Sequence, residues 1–407
     1  MIPLPLRLVE PLGELDSAPW ADEITGVQVD SRRIEEGDLF VAVGDGIDYR
    51  KHAFARGAAA SLVSQDPFAA LGALAAAVRD RSGARFVAIT GSMGKTSTKD
   101  ILAAMCAAQA RTVAAERSYN NEIGVPLTLC RVEPETEIVI LELAMRGFGQ
   151  IGELCSFARP DIGVITMVAP VHLEKVGTLE GVIRAKSELV AALPAGGTAI
   201  VPNGFAVERD DLEVVHVGED VRLESFDPPR LSTSLGAFDV SFTARHLAEN
   251  ALTAVATANA LGVQIPERID VTFTEWRNQE LPLAGGGVLI NDAWNANPIS
   301  MRAALEHLAQ LAAGRRRVAV LGEMAELGDY AEEAHREVAR AVQDAGVDLL
   351  ICVGEQARAY GGRQVADADA AIALLRDELA PGDCVLVKGA RVLGLERVAE
   401  SLAGVTA

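Results

Sequence analysis

The feature that most constrains this chain is the stretch Arg85–Asp100, RFVAITGSMGKTSTKD. Phe86-Val87-Ala88-Ile89 is an apolar run short enough to be a buried strand, and Gly91-Ser92-Met93-Gly94 forms a turn. Lys95-Thr96-Ser97-Thr98 then opens a helix predicted over Thr96–Gln109. A strand, a glycine turn and a helix N-terminus together make an anion cradle, because backbone N–H groups and the positive end of the helix dipole converge there. Lys95 would reach outer phosphates, and the Thr96 hydroxyl would reach a magnesium ion. The spacing departs from G-x-x-x-x-G-K-[ST], since Ile89 stands where the first glycine would be. The plain alternative is an ordinary strand-to-helix turn with a surface lysine.

Composition limits what such a cradle can serve. The chain of 407 residues is long enough for about two to three domains. Its formal net charge of −20 argues against a broad nucleic-acid surface, so an anionic substrate needs a local basic patch. No apolar run is long enough to span a bilayer, and MIPLPLRLVE lacks a basic segment followed by an apolar one. Neither a membrane span nor a secretory signal is expected, and a cytoplasmic location is. Cys106, Cys130, Cys155, Cys352 and Cys384 form no C-x-x-C pair, which fits a reducing compartment and gives no zinc signal.

Residues 1 to about 80 alternate short apolar runs with turns and are predicted to form a small α/β unit. Ser31 and Arg32 lie in a turn-like stretch that could hold a phosphorylated ligand or be a solvated loop. From Arg85 onward strands and helices alternate, which predicts a largely parallel sheet with helices on both faces. Asn120 and Asn121 sit in a loop, Arg117–Pro126, where turn chemistry alone would account for them. Glu142 lies between Leu141 and Leu143 in the buried-strand run Glu137–Met145 and therefore needs a cation or a hydrogen-bond partner. It is either a paired structural acid or a magnesium ligand. His172 follows a strand end, where α/β sheets keep their sites, although a lone histidine is usually structural. Lys186 falls on the apolar face of the helix Gly181–Leu193, where a lysine either snorkels or does chemistry.

The stretch Val221–Phe242 is weakly patterned. His246 and Asn250 share one face of a long helix that follows it. A boundary is expected near Pro282. After it the strand–helix alternation restarts as a Rossmann-like domain without G-x-G-x-x-G, so no dinucleotide cofactor is expected.

The ordered motifs TGSMGKTS, SYNNEIGVP, LELAMRGFGQI, HLE at 172–174, AKSEL at 185–189, NANP at 295–298, GEMAELG at 322–328 and KGAR at 388–391 resemble those of the Mur ligases of bacterial peptidoglycan synthesis. The resemblance implies an α/β fold of three domains. These are a UDP-substrate-binding N-terminal domain (1–82), a central P-loop ATPase-like domain with a mostly parallel sheet (83–282) and a C-terminal Rossmann-like domain (283–407). It also implies an ADP-forming ligase that adds D-alanyl-D-alanine to UDP-N-acetylmuramoyl-tripeptide, acting as a monomer with ATP and two magnesium ions.

By the same resemblance, Gly91, Ser92, Met93, Gly94, Lys95, Thr96 and Ser97 hold the ATP phosphates. Thr96, Glu142, His172 and a carbamylated Lys186 hold magnesium, and Lys95, Lys186 and His172 are catalytic. His246, Asn250, Asp292, Asn295 and Arg277 meet the nucleotide, while Ser31, Arg32, Asn120, Asn121, Asn297 and Lys388 meet the other substrates. The sequence departs from the family pattern at Trp294, in place of a tyrosine, at Ala390, in place of a serine, and at Met167, in place of an asparagine. Folylpolyglutamate synthase, and a nucleotide-binding protein without ligase activity, are the rival expectations.

Overall fold

The computed structural model describes residues 1–169 and 176–403. The motif at 172–174, with His172, lies outside the described residues.

Period-two alternation in the strands builds the central domain. Along Arg85–Thr90, Phe86 and Ala88 enter one core while Val87 and Ile89 enter another. Ile138–Glu142 divides the same way, with Val139 and Leu141 on one face and Ile138 and Ile140 on the other. A sheet covered on both faces in this way is expected to be parallel. Its six strands are indeed all parallel, in the order Glu213–Val217, Thr198–Pro202, Ile162–Ile165, Arg85–Thr90, Ile138–Glu142, Thr112–Ala114. The phosphate-loop strand is therefore interior, and its C-terminal end opens where neighbouring strands diverge to either side. Helices Lys95–Ala107 and Arg245–Leu261 pack against each other on one face. On the other face, helix Pro67–Arg79 joins the small N-terminal sheet to the same core. That helix starts cleanly because the Asp66 carboxylate accepts from the N–H groups of Phe68 and Ala69, with Pro67 at its first position.

The weakly patterned stretch before Arg245 holds three antiparallel strands, Leu223–Asp227, Arg230–Thr233 and Gly236–Val240. Many of their residues are exposed, so the hydrophobic alternation that announces a strand is faint. Helix Gly124–Leu129 likewise begins inside the stretch expected to be a loop.

The C-terminal sheet runs Gln279–Leu283, Gly287–Asp292, Cys384–Lys388, Arg317–Gly322, Leu349–Val353, Arg363–Val365, parallel except for the first strand. The boundary expected at Pro282 falls within that first, antiparallel strand, where Pro282 pairs with Val288. It is an edge strand, a position that tolerates proline. Among the described residues no helix is long and apolar enough to cross a membrane.

Candidate active site

The phosphate loop takes its shape from two glycines. Gly91 has φ 152° and Gly94 has φ 80°, both in the region that favours glycine. A Cβ on Gly94 would also lie 2.4 Å from Asn250 Oδ1. Among the described residues the helix starting at Lys95 has no side-chain cap, and its first turn holds no acid. Its opening N–H groups are thus unclaimed by side chains, as an anion site requires. The loop is pinned from the neighbouring strand end. Ser92 N–H donates to Met167 O at 2.7 Å, Thr166 Oγ1 donates to Met93 O, and Ser92 Oγ bonds Ala169 at 3.0 Å. Lys95 folds back so that Nζ donates to Gly91 O at 2.8 Å.

Positive charge gathers around one carboxylate. Glu142, at a strand end, is fully buried, and its Oε1 accepts from Asn120 Nδ2 at 2.7 Å. Its Oε2 is buried with no hydrogen-bond partner among the described residues. An ionised oxygen left in that state is costly, so the position suits a cation that is not a side chain. Burial pulls the Lys95 pKa down; the Glu142 charge opposes that and Arg277 adds to it. Burial, with the nearby Lys95 charge, holds Lys186 well below the ordinary lysine range. At 2% exposure Lys186 does not snorkel. Burial also lowers Arg277, against the pull of Glu142, Asp292 and Asp100.

Two cavities with shared lining residues lie at this point. One, of about 730 Å³, is lined from all three parts of the chain, including Phe68, Asn120, Asn121, Glu142 and Arg391. The other, of about 150 Å³, is lined by Met93–Ser97, His246, Asn250, Asp292 and Lys388 among others. Ser92, Lys95, Arg277, Asn295 and Asn297 face both.

Residues 89–258 match the Mur ligase middle domain, and residues 276–391 match the Mur ligase, glutamate ligase domain. The UDP-N-acetylmuramoyl-tripeptide–D-alanyl-D-alanine ligase of Mycobacterium bovis is 36% identical over 93% of this chain and 92% of its own. The chain belongs to the Mur ligase family. The ligase of the same name from Escherichia coli K12 is 34% identical over 96% of both chains. A crystal structure of MurF from Acinetobacter baumannii superposes with TM-score 0.84 at 27% identity, covering 99% of each chain.

Set against the expected Mur ligase site, the structure brings most of the residues together but gives some of them other partners. Asp292 is buried and ion-paired to the buried Lys388, whose ammonium also donates to Asn295 O at 2.9 Å. Burial lowers the Lys388 pKa, against the pull of Asp292. His246 is held neutral, pushed down to about 4 chiefly by burial, and its Nε2 lies 3.0 Å from Asn278 Oδ1. Asn297 caps helix Pro298–Ala312 through a capping box with Ser300. The Asn121 side chain accepts from Gly124 N–H at 3.0 Å, closing its own turn.

Ser31 and Arg32 line neither cavity. Ser31 Oγ is 2.9 Å from His52 Nδ1, and Arg32 forks onto Asp30, holding that carboxyl down at about 2. Lys186 lines neither cavity but sits in the field of Lys95. Arg391, to which the sequence alone gives no role, has its guanidinium 4.4 Å over the Trp276 ring and 5.4 Å over that of Trp294. Its signal was available in the KGAR motif, just past a strand end.

Proposed function

We propose that the protein is an ADP-forming ligase that joins D-alanyl-D-alanine to UDP-N-acetylmuramoyl-tripeptide in peptidoglycan synthesis, in the cytoplasm and as a monomer. The observation that carries the mechanism is the pair of cations Lys95 and Arg277 in the field of the buried Glu142, next to a helix N-terminus without a side-chain cap among the described residues. A concentration of positive charge in a chain of net charge −20 is what a triphosphate needs.

Forming an amide from a carboxylate requires a better leaving group than oxide. The terminal carboxylate of the tripeptide attacks the outer phosphorus of ATP; the bond to ADP breaks and an acyl phosphate forms. The amine of the dipeptide then attacks the acyl carbon, loses a proton, and phosphate departs. Lys95 and the loop N–H groups hold the phosphates, and Arg277 meets the charge that develops on the transferred group. Magnesium, when bound, neutralises phosphate charge; Glu142, Thr96 and a carbamylated Lys186 would hold it, and His172 completes the proposed set. Among the described residues no three of His, Cys, Asp and Glu cluster, and His172 lies outside them. The depressed pKa of Lys186 supports carbamylation, since the neutral amine is the form that takes up CO₂. His246, Asn250 and Asp292 are assigned to the nucleotide, and the larger cavity to the peptide end of the UDP substrate and to the dipeptide.

The test is phosphate release from ATP with UDP-N-acetylmuramoyl-tripeptide, with and without D-alanyl-D-alanine. Release that depends on the dipeptide, with the pentapeptide product seen by mass, supports the reading. ATP binding with no release under any acceptor would overturn it.

A further inference from the structure

Behind the phosphate loop lies a buried ion pair that the chemistry above does not use. Lys99, one turn after Lys95, is 2% exposed, and its ammonium pairs with Asp100 at 2.8 Å. It donates to Ala115 O at 2.7 Å, to Arg117 O at 3.2 Å and to Thr274 Oγ1 at 3.3 Å. Asp100 accepts from both the N–H and the O–H of Thr274, at 2.8 and 3.1 Å. A buried pair is weak evidence for stability; its best-attested use is to fix one arrangement among several.

What it fixes here is specific. Arg277 N–H donates back to Thr274 O at 3.2 Å, so the turn that aims Arg277 begins at the clamped residue. Trp276 and Asn278, on either side of Arg277, have φ of 61° and 48°, a conformation that persists only when its surroundings impose it. The other segment clamped by Lys99 ends in Arg117, with φ 50°, and continues into Ser118 and Asn120. Ser118 Oγ accepts from Arg277 Nη2 at 3.4 Å, and Asn120 donates to Glu142.

We propose that the Lys99–Asp100 pair, acting through the Thr274 hydroxyl, positions the Arg277 guanidinium at the cavity it shares with Lys95. Thr274, Lys99 and Asp100 are thus positioning residues, and the assignment rests on the ATP-dependent reading given above.

The experiment is a double-mutant cycle read by calorimetric ATP affinity in the absence of other substrates, and by kcat and KM for ATP in the full reaction. Thr274→Val removes the hydroxyl at nearly constant volume and keeps the backbone N–H. The expected result is about tenfold weaker ATP binding or lower kcat, the scale of one hydrogen bond to a charged group. Thr274→Ser should restore the parent value to within about twofold. In an Arg277→Ala background, Thr274→Val should change nothing further, an outcome that simple loosening of the fold would not give. Asp100→Asn, which keeps the side-chain shape, repeats the cycle should Thr274→Val lower the melting temperature. A Thr274→Val effect that persists undiminished without Arg277, or no effect at all, overturns the proposal. The parent's own phosphate release reports separately on the ligase reading.

Discussion

Two segments deliver a cation to the same cavity by opposite means. The phosphate loop bends through glycines, Gly91 and Gly94, and its geometry is largely local. The segment Thr274–Asn278 bends through Trp276 and Asn278, where positive φ costs a non-glycine residue about 1–2 kcal/mol. Locally, Trp276 N–H donates to Gln279 Oε1 at 2.8 Å, and distant partners add to that tie. The Trp276 ring stacks on Trp294 with centroids 5.8 Å apart and planes 14° apart, and Trp294 N–H donates to Trp276 O at 3.1 Å. Asn278 N–H donates to Asp292 Oδ1 at 3.3 Å, and its side chain meets His246. Lys95 is therefore in place whenever the central domain is folded, whereas Arg277 is in place only when the central and C-terminal domains meet. The comparison predicts a site whose binding half is permanent and whose second cation arrives on closure.

The largest effect is expected on the permanent side. Lys95→Ala should lower kcat by about 10²–10³, the scale of losing one charged contact to a transition state, with the melting temperature unchanged. Near-normal turnover would show that Lys95 does not hold the phosphates. On the assembled side, Asp292→Ala strands the buried Lys388 ammonium and releases Asn278. Unfolding free energy should fall by about 3 kcal/mol, and KM for ATP should rise as well. A raised KM with unchanged stability would instead make Asp292 a ligand contact and not a tie.

A matched pair of backbone substitutions sharpens the contrast. Gly94→Ala forces a positive φ on a side chain and drives its Cβ into Asn250, so it should cost about 2 kcal/mol and weaken ATP binding. Asn278→Gly relieves a positive φ while losing the contact to His246, and stability should stay within about 1 kcal/mol of the parent. Denaturant unfolding measures both. Equal losses at the two positions would mean that the second turn is as locally determined as the first.

The same distinction explains how much could be seen in the sequence. The strand, the glycine turn and Lys95 were legible because apolar period and turn chemistry act over a few residues. The parallel sheets followed from the alternation of strands and helices after Arg85. Glu142 stood out as a carboxylate with apolar neighbours, but its partner Asn120 comes from a different loop. Arg277 was placed only through the family resemblance, because nothing local marks a turn at a tryptophan. Lys99 and Asp100 look like an ordinary solvated pair on a helix until the fold buries them against Thr274. Pro282 suggested a break because the pairing that makes its strand an edge is tertiary.

The smallest expected effect tests whether polar residues on the assembled side serve substrate or backbone. Asn297 faces both cavities, as a substrate contact would. Yet its Oδ1 accepts from Ser300 N–H at 2.9 Å, and the Ser300 hydroxyl lies 3.0 Å from Asn297 N, with Pro298 at the first helical position. An N-cap of this kind is typically worth about 1 kcal/mol, and aspartate or serine fills it nearly as well as asparagine. If the cap is the whole role, Asn297→Ala should lower stability by about 1 kcal/mol, and Asn297→Ser should restore it together with the parental kcat. A serine variant that is as stable as the parent but slow would show that the Asn297 amide also touches substrate. Helix Pro298–Ala312 also carries His307, whose Nε2 lies 3.2 Å from Glu280 Oε1 on the edge strand of the C-terminal sheet and 3.1 Å from Thr243 Oγ1 across the meeting of the two domains. A weakened cap should therefore act on Arg277 before it acts on Lys95. ATP affinity in Asn297→Ala should fall toward the value of Arg277→Ala and stay well above that of Lys95→Ala. Affinity that instead dropped to the Lys95→Ala level would mean that the two halves of the site are not assembled separately.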